Sequence, residues 1–454
     1  MSAGGLEPAA AACLFPGFKG EIAPDWIRQG GFGGVVLFAR NIRDPEQLAA
    51  LTASLQGMVV AVDEEGGDVT RLEAASGSSF PGNLALGAVD DPALTRRVAA
   101  AIGGELASAG IDLDLAPVAD VLVEPASAIV GVRSFGSDPE LVARHVGAFV
   151  EGLQSVGVAA CAKHFPGHGE TAADSHLELP SSDAPLETLR GRALPPFVAA
   201  VEAGARVVMT AHIRFGVLGD EPATWNARAV ALLRDELGFD GVVMTDALEM
   251  QGAGGPAGIA DAAVRALVAG ADALCLGADL SPEQVAAVQS AVAERVPEER
   301  LRDAAARVAA LAEWTSPRPH EDREAGLEAA RRALRVEGDP AVGEDAVVVE
   351  LRPEPSIAAG PSEHGLGELL GAETVRLHEG DRLPLIDTAR PLVLVLRDAH
   401  RHPWQQELVQ PCAVVVETGV PVWRPEGARA YVVTHGPARA NLEAAATVLA
   451  GRMT

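Results

Sequence analysis

The chain has 454 residues, 48% of them hydrophobic and 4% aromatic, and a formal net charge of -27. That length favours one large and one small domain, and the apolar share leaves ample material for a buried core. The charge argues against nucleic acid, anionic membrane surfaces and polyanionic polymers as partners, because the cationic footprint they require is missing, and it serves solubility instead.

The N-terminal stretch MSAGGLEPAAAACLFPGF has no basic region ahead of its small apolar run, which leads straight into a strand. No signal peptide is expected, and no transmembrane segment, since no window reaches the apolar length of a span. Cys13, Cys161, Cys275 and Cys412 are scattered without CxxC spacing, and three sit in apolar strand-like runs. Buried thiols in a reducing compartment fit this better than disulfides or zinc, so a cytoplasmic location is expected.

Strand-like runs then recur at Cys13–Phe18, Gly34–Phe38, Val59–Asp63, Ile111–Asp120, Ala159–His164, Val207–His212, Gly241–Asp246 and Asp272–Gly277. Ala-rich amphipathic stretches such as Ala93–Ala109 and Leu186–Ala203 separate them, the pattern of βαβ units around a parallel sheet. Eight such runs predict a (β/α)8 TIM-type barrel. Most end in a polar residue: Asp63, Asp120, Lys163 with His164, His212, Asp246. A strand-end Asp can simply cap the next helix. A whole row of them fits better the C-terminal face of a barrel, where active sites of this fold are built.

Within that row, ACAKHFPGHGETAADSHLELP (from Ala159) carries a density of polar and turn residues that no core strand needs. Residues two apart in an extended segment project to one side, so Asp174 could orient the imidazole of His176 and stabilise its protonated form. Read by residue type alone, the stretch is equally open to a metal site formed by His164, His168, Asp174 and His176, or to a solvated loop.

A long Ala/Glu/Arg helix is predicted from Pro282 to Trp314, then a linker at Thr315–His320 and a second amphipathic helix over Glu324–Val336. Strands at Ala346–Leu351, Pro391–Arg397, Cys412–Glu417 and Ala430–Thr434 complete a smaller α/β domain. The expected division is 1–314 for the barrel, 315–323 for the linker and 324–454 for the second domain.

KHFPGHG followed by DSH resembles the signature of glycoside hydrolase family 3, in its NagZ-type β-N-acetylglucosaminidase branch. VVAVDEEGGDVTRLEA, IVGVRSFGSDP and GFDGVVMTDALEM are similar to further segments of that family, and VVVETGVPVW with THGPARANLEAAATVLAG to its C-terminal sandwich domain in reduced form. The resemblance implies a retaining β-N-acetylglucosaminidase acting on terminal β-linked N-acetylglucosamine of cell-wall turnover fragments. It implies Asp246 as nucleophile and His176, paired with Asp174, as acid/base. Asp63, Arg71, Arg133, Lys163 and His164 would hold the sugar, with His212 as a wall or an outer support; read by residue type alone, His212 is equally a satisfied core histidine. No cofactor and no metal are implied. Relatives usually carry Arg where this chain has Asp68, which removes one accessory contact.

Three other functions fit parts of the pattern. Some His-bearing relatives pass the glycosyl group to phosphate, and an imidazole repels an incoming anion less than a carboxylate would. A barrel that binds wall fragments without turnover would need neither Asp246 nor the Asp174–His176 pair. A metal-dependent hydrolase would use the histidine cluster.

Overall fold

The computed structural model describes residues 5–171, 175, 178–253, 255–277, 279–343, 345–360, 364–387 and 389–452, with side chains 255–257 left aside. Eight parallel strands follow the predicted runs: β1 Leu14–Phe15, β2 Gly34–Leu37, β3 Val59–Val62, β4 Leu113–Asp114, β5 Ala159–Phe165, β6 Val207–Thr210, β7 Val242–Thr245 and β8 Leu274–Cys275. β2 to β7 form one curled sheet in chain order, and β1 pairs with β8. The ring closes through Val36 N to Pro16 O on one side and a Met244–Ala273 bridge on the other.

Alternation along these strands creates two apolar layers. Phe15, Val36, Val59, Ala61, Leu113, Ala159, Cys161, Val207, Met209, Val242, Met244 and Cys275 fill the barrel interior. Their neighbours, among them Val35, Val60, Ala160, Val208 and Val243, face the helices. Both faces are buried, hence runs that are apolar without a break. At the N-terminal end, Val308 and Leu311 of the helix Glu298–Trp314 pack into the interior layer and plug it.

The structure corrects several expected elements. The run Ile111–Asp120 is a strand only over Leu113–Asp114, because Pro117 cannot donate to a ladder. It goes on shadowing β5 irregularly, through Cys161 N to Ala116 O and Lys163 N to Pro117 O. The long helix from Pro282 is two helices, Pro282–Arg295 and Glu298–Trp314. Pro297 holds Val296 extended, at φ -82° and ψ 134°. Leu186–Ala203 is likewise broken, around Pro195, into shorter pieces.

The second domain holds a six-stranded sheet: β9 Arg335–Gly338, β10 Val347–Leu351, β11 Glu373–Leu377, β12 Leu392–Leu396, β13 Val414–Glu417 and β14 Ala430–Val433. The spatial order is 9-14-13-12-10-11, parallel except for β9 against β14. β9 and β11 are missing from the predicted set, since ETVRL and RVEG are largely exposed and too polar to stand out. The helix expected to run to Val336 ends at Ala333, and the chain turns into β9. Apolar clusters on both faces of the sheet, one with Trp404 and one with Leu442 and Leu449, make this a three-layer unit.

Candidate active site

Strand parity assembles the site. Val59 and Ala61 point inward, so Asp63 continues that line just beyond β3. Cys161 leads to Lys163 in the same way on β5, and Met244 to Asp246 just after β7. All three strands are parallel, so the three side chains share the C-terminal mouth of the barrel.

Lys163 Nζ lies 2.6 Å from Asp63 Oδ1 and 2.7 Å from Glu65 Oε1. Arg133 makes a two-pronged pair with Glu65, its Nε donating to Oε2 at 2.8 Å and Nη2 to Oε1 at 2.7 Å. Its third arm, Nη1, donates to Ile129 O. Arg71 Nη2 stands 3.7 Å from Asp63 Oδ2 and donates to Ala358 O of the second domain at 2.9 Å. Burial would push the Lys163 ammonium down, yet Asp63 and Glu65 hold it above the usual lysine value. Burial would push both carboxyls up, but Lys163 with Arg71 holds Asp63 below its ordinary value, and Arg133 with Lys163 does the same for Glu65. The site is therefore a fixed ionic lattice at neutral pH, suited to hydroxyl groups that need both donors and acceptors.

His164 is oriented from behind. Its Nδ1 lies 2.7 Å from Asp120 Oδ2, and Asp120 also accepts the backbone N–H groups of His164 and His168. These donors outweigh the burial of Asp120 and keep it ionised. A carboxylate at Nδ1 fixes the proton there and leaves Nε2 as the nitrogen available to a ligand. Lys163 and His164, adjacent in sequence, reach different partners because the β5–β6 register shifts between Ala162 and Phe165. His168 is buried beside His164, with ring centroids 6.3 Å apart, and neither of its ring nitrogens has a hydrogen-bond partner among the described residues.

Asp246 is partly exposed, and its Oδ1 accepts the Ala247 N–H at 2.8 Å. His212 lies behind it, with Nδ1 2.6 Å from Thr224 Oγ1 and Nε2 2.9 Å from Ala247 O. The ring so holds the Ala247 carbonyl, one residue beyond Asp246. Glu249, the acid that follows Asp246 in the GFDGVVMTDALEM stretch, lies against Gly277 just beyond β8.

Of the residues singled out in the sequence, Asp63, Arg71, Arg133, Lys163, His164 and Asp246 are brought to this end of the barrel. Asp174 and His176 lie outside the described residues. Ser175, between them in sequence, accepts the Gly252 N–H through its carbonyl. Sequence reasoning gave no role to Glu65, which ties Lys163 to Arg133, nor to Asp120 as the partner of His164. For Glu65 the signal was present, since Asp63 and Glu65 are two apart at a strand end. For Asp120 the distance of 44 residues to His164 hid the pairing.

Residues 18–311 match the glycosyl hydrolase family 3 N-terminal domain. A β-hexosaminidase of Xanthomonas euvesicatoria pv. vesicatoria is 36% identical over 277 residues, covering 58% of this chain and 82% of that protein. A family 3 β-N-acetylglucosaminidase from Paenibacillus sp. strain FPU-7 superposes with a TM-score of 0.87 at 30% identity, over 99% of this chain and 97% of that one. NagZ from Neisseria gonorrhoeae, solved with N-trifluoroacetyl-D-glucosamine, gives 0.57 at 30% identity and covers 67% of this chain and 98% of its own.

Proposed function

We propose, from the premise that the chain belongs to glycosyl hydrolase family 3 and is a glycoside hydrolase of β-N-acetylhexosaminides, that it is a retaining β-N-acetylglucosaminidase with Asp246 as nucleophile and His176 as acid/base. The observation that carries this reading is the shared parity of Asp63, Lys163 and Asp246 at the barrel mouth, with the ionic lattice on one side and a partly exposed carboxylate on the other.

In the first step the Asp246 carboxylate attacks the anomeric carbon while the bond to the leaving oxygen breaks. His176, as imidazolium, gives that oxygen its proton. The product is a glycosyl ester of Asp246, with inverted configuration at carbon. In the second step the neutral imidazole takes a proton from water, the water oxygen bonds to the anomeric carbon, and Asp246 departs. Two inversions restore the β configuration. An unperturbed imidazole titrates at about 6.5, so it needs less tuning for this work than a carboxyl does. Asp63, Arg71, Lys163 and His164 hold the sugar, and Arg133 acts through Glu65.

Terminal N-acetylglucosamine on cell-wall turnover fragments is the substrate class of this reading, with a cytoplasmic location. The buried thiols Cys13, Cys161 and Cys275 support a reducing compartment.

Product analysis tests the assignment. With a nitrophenyl N-acetyl-β-glucosaminide, the chain should release free N-acetylglucosamine both with and without phosphate; a sugar 1-phosphate would assign it to phosphorolysis instead. Asp246→Ala should abolish turnover. His176→Ala should slow natural disaccharides by about 10²–10⁴-fold, spare the first step on the nitrophenyl substrate, and let azide form a β-glycosyl azide. Wild-type rates on both substrates would remove His176 from the mechanism.

A further inference from the structure

The second domain meets the barrel along the carboxyl edge of its sheet. Arg397 follows β12 directly, and Val420 lies three residues beyond β13. Val420 packs on Leu84 of the helix Asn83–Val89 and on Leu122, Val130 and Val132 of the segment after β4. In the order 9-14-13-12-10-11 the winding reverses between β10 and β12, and Arg397 stands at that reversal. Open α/β sheets take their ligands at such a point. Here the group gripped is part of the same chain. Arg397 Nη2 donates to Asp68 Oδ2, and the Asp68 side chain is 6% exposed.

Asp68 belongs to the turn that carries the sugar-binding lattice. Gly66 and Gly67 take positive φ of 73° and 66°, which bends the chain back so that Glu65 N bonds Val69 O. One leg of this turn bears Asp63 and Glu65, and the other leads to Arg71. The second domain holds that second leg too, through Ala358 O on Arg71 Nη2. A charge pair across the interface, its carboxylate buried and its Arg397 guanidinium half-buried, and a carbonyl on the Arg71 guanidinium therefore fix the turn from outside the barrel.

We propose that Arg397 is a positioning residue for the sugar site: through Asp68 it sets the turn that presents Asp63, Glu65 and Arg71 to the substrate. The proposal rests on the glycosidase reading for its kinetic consequence but not for its structural one. Arg397 does not touch the reacting atoms, so its loss weakens binding of ground state and transition state alike. Displacing a binding loop by about 1 Å can cost roughly a hundredfold.

The test uses the full chain with Arg397→Ala, Arg397→Lys, Asp68→Asn and the double variant Arg397→Ala/Asp68→Asn. Arg97→Ala is the control, because Arg97 pairs with Asp322 and Glu328 at the domain junction, away from the turn. Circular dichroism and thermal melting establish that each variant folds. For the nitrophenyl N-acetyl-β-glucosaminide, Arg397→Ala and Asp68→Asn should each raise KM between roughly tenfold and a hundredfold with kcat nearly kept. The double variant should add little to either single one, and Arg397→Lys should recover part of the loss. Hydrogen exchange should rise in the peptide spanning 64–72 in Arg397→Ala and not in Arg97→Ala. Unchanged KM, additive single effects, or unchanged exchange in the turn would overturn the proposal. Failure of the wild-type chain to cleave the glycoside would sink the glycosidase reading, while the exchange measurement still judges the latch.

Discussion

Glu65 is the residue whose replacement tests the ionic lattice most sharply. Glu65→Gln keeps the shape and removes the charge that sits between Lys163 and Arg133. At 2.7 Å each contact is worth about 6 kcal/mol before desolvation, at an effective dielectric of about 20. Desolvation of the buried ions cancels much of this, so the net worth of the pair is small. Its rupture is not, because among the described residues Arg133 then keeps one hydrogen-bond acceptor, Ile129 O, with the Asp63 and Asp120 charges acting on it without a hydrogen bond. Removing one member of such a pair costs about 3–5 kcal/mol, a large share of the roughly 5–15 kcal/mol that holds a protein folded. Lys163 retains Asp63 and should stay charged. Urea unfolding at neutral pH, with the denaturant slope unchanged, reads this loss. The double variant Glu65→Leu/Arg133→Met removes both charges and should recover most of it. A loss below about 1 kcal/mol, the scale of a surface pair, would refute the buried lattice.

Two further predictions concern its surroundings. Burial pushes the Glu64 carboxyl up to about 7, against the backbone donors Leu72 and Arg71. The folded chain thus holds a proton that the unfolded chain, with a carboxyl near 4.5, releases. This contribution is present below that value, is lost as pH rises through about 7, and amounts to at most about 3 kcal/mol. Glu64→Gln should flatten the fall in denaturation midpoint between pH 5 and 8, and an unchanged slope would assign it elsewhere, Glu417 at about 7 being the other candidate. His212→Phe should strand the Ala247 carbonyl and lower kcat about tenfold with KM kept, the cost of one buried hydrogen bond; an unaltered kcat would make His212 a packing residue only.

The barrel was legible because its strands are buried on both faces, so most runs stand out as apolar stretches with a polar end. The same logic failed for β9 and β11, whose residues are half in water. Breaks at Pro117 and Pro297 were readable in principle, since each proline lacks the N–H that the predicted element needed. The residues proposed to hold the sugar could be named from motifs, but their partners could not. Asp120 meets His164 only because the segment after β4 shadows β5, and Arg397 meets Asp68 across 329 residues. Contacts of that kind follow from topology rather than local pattern. Asp68 itself was read only as the loss of an arginine contact, whereas its carboxylate is the anchor of an ion pair between domains.

Whether Asp246 forms the covalent intermediate is decided by mass spectrometry of a trapped enzyme. Incubation with a 5-fluoro-N-acetyl-β-glucosaminyl fluoride slows departure from the intermediate, and the digested protein is then searched for the added sugar. The label should sit on Asp246, in the peptide containing GFDGVVMTDALEM, and should be absent from Asp246→Asn. A label on Glu249 or Asp63, or release of the α-anomer as the first product without any adduct, would contradict the account.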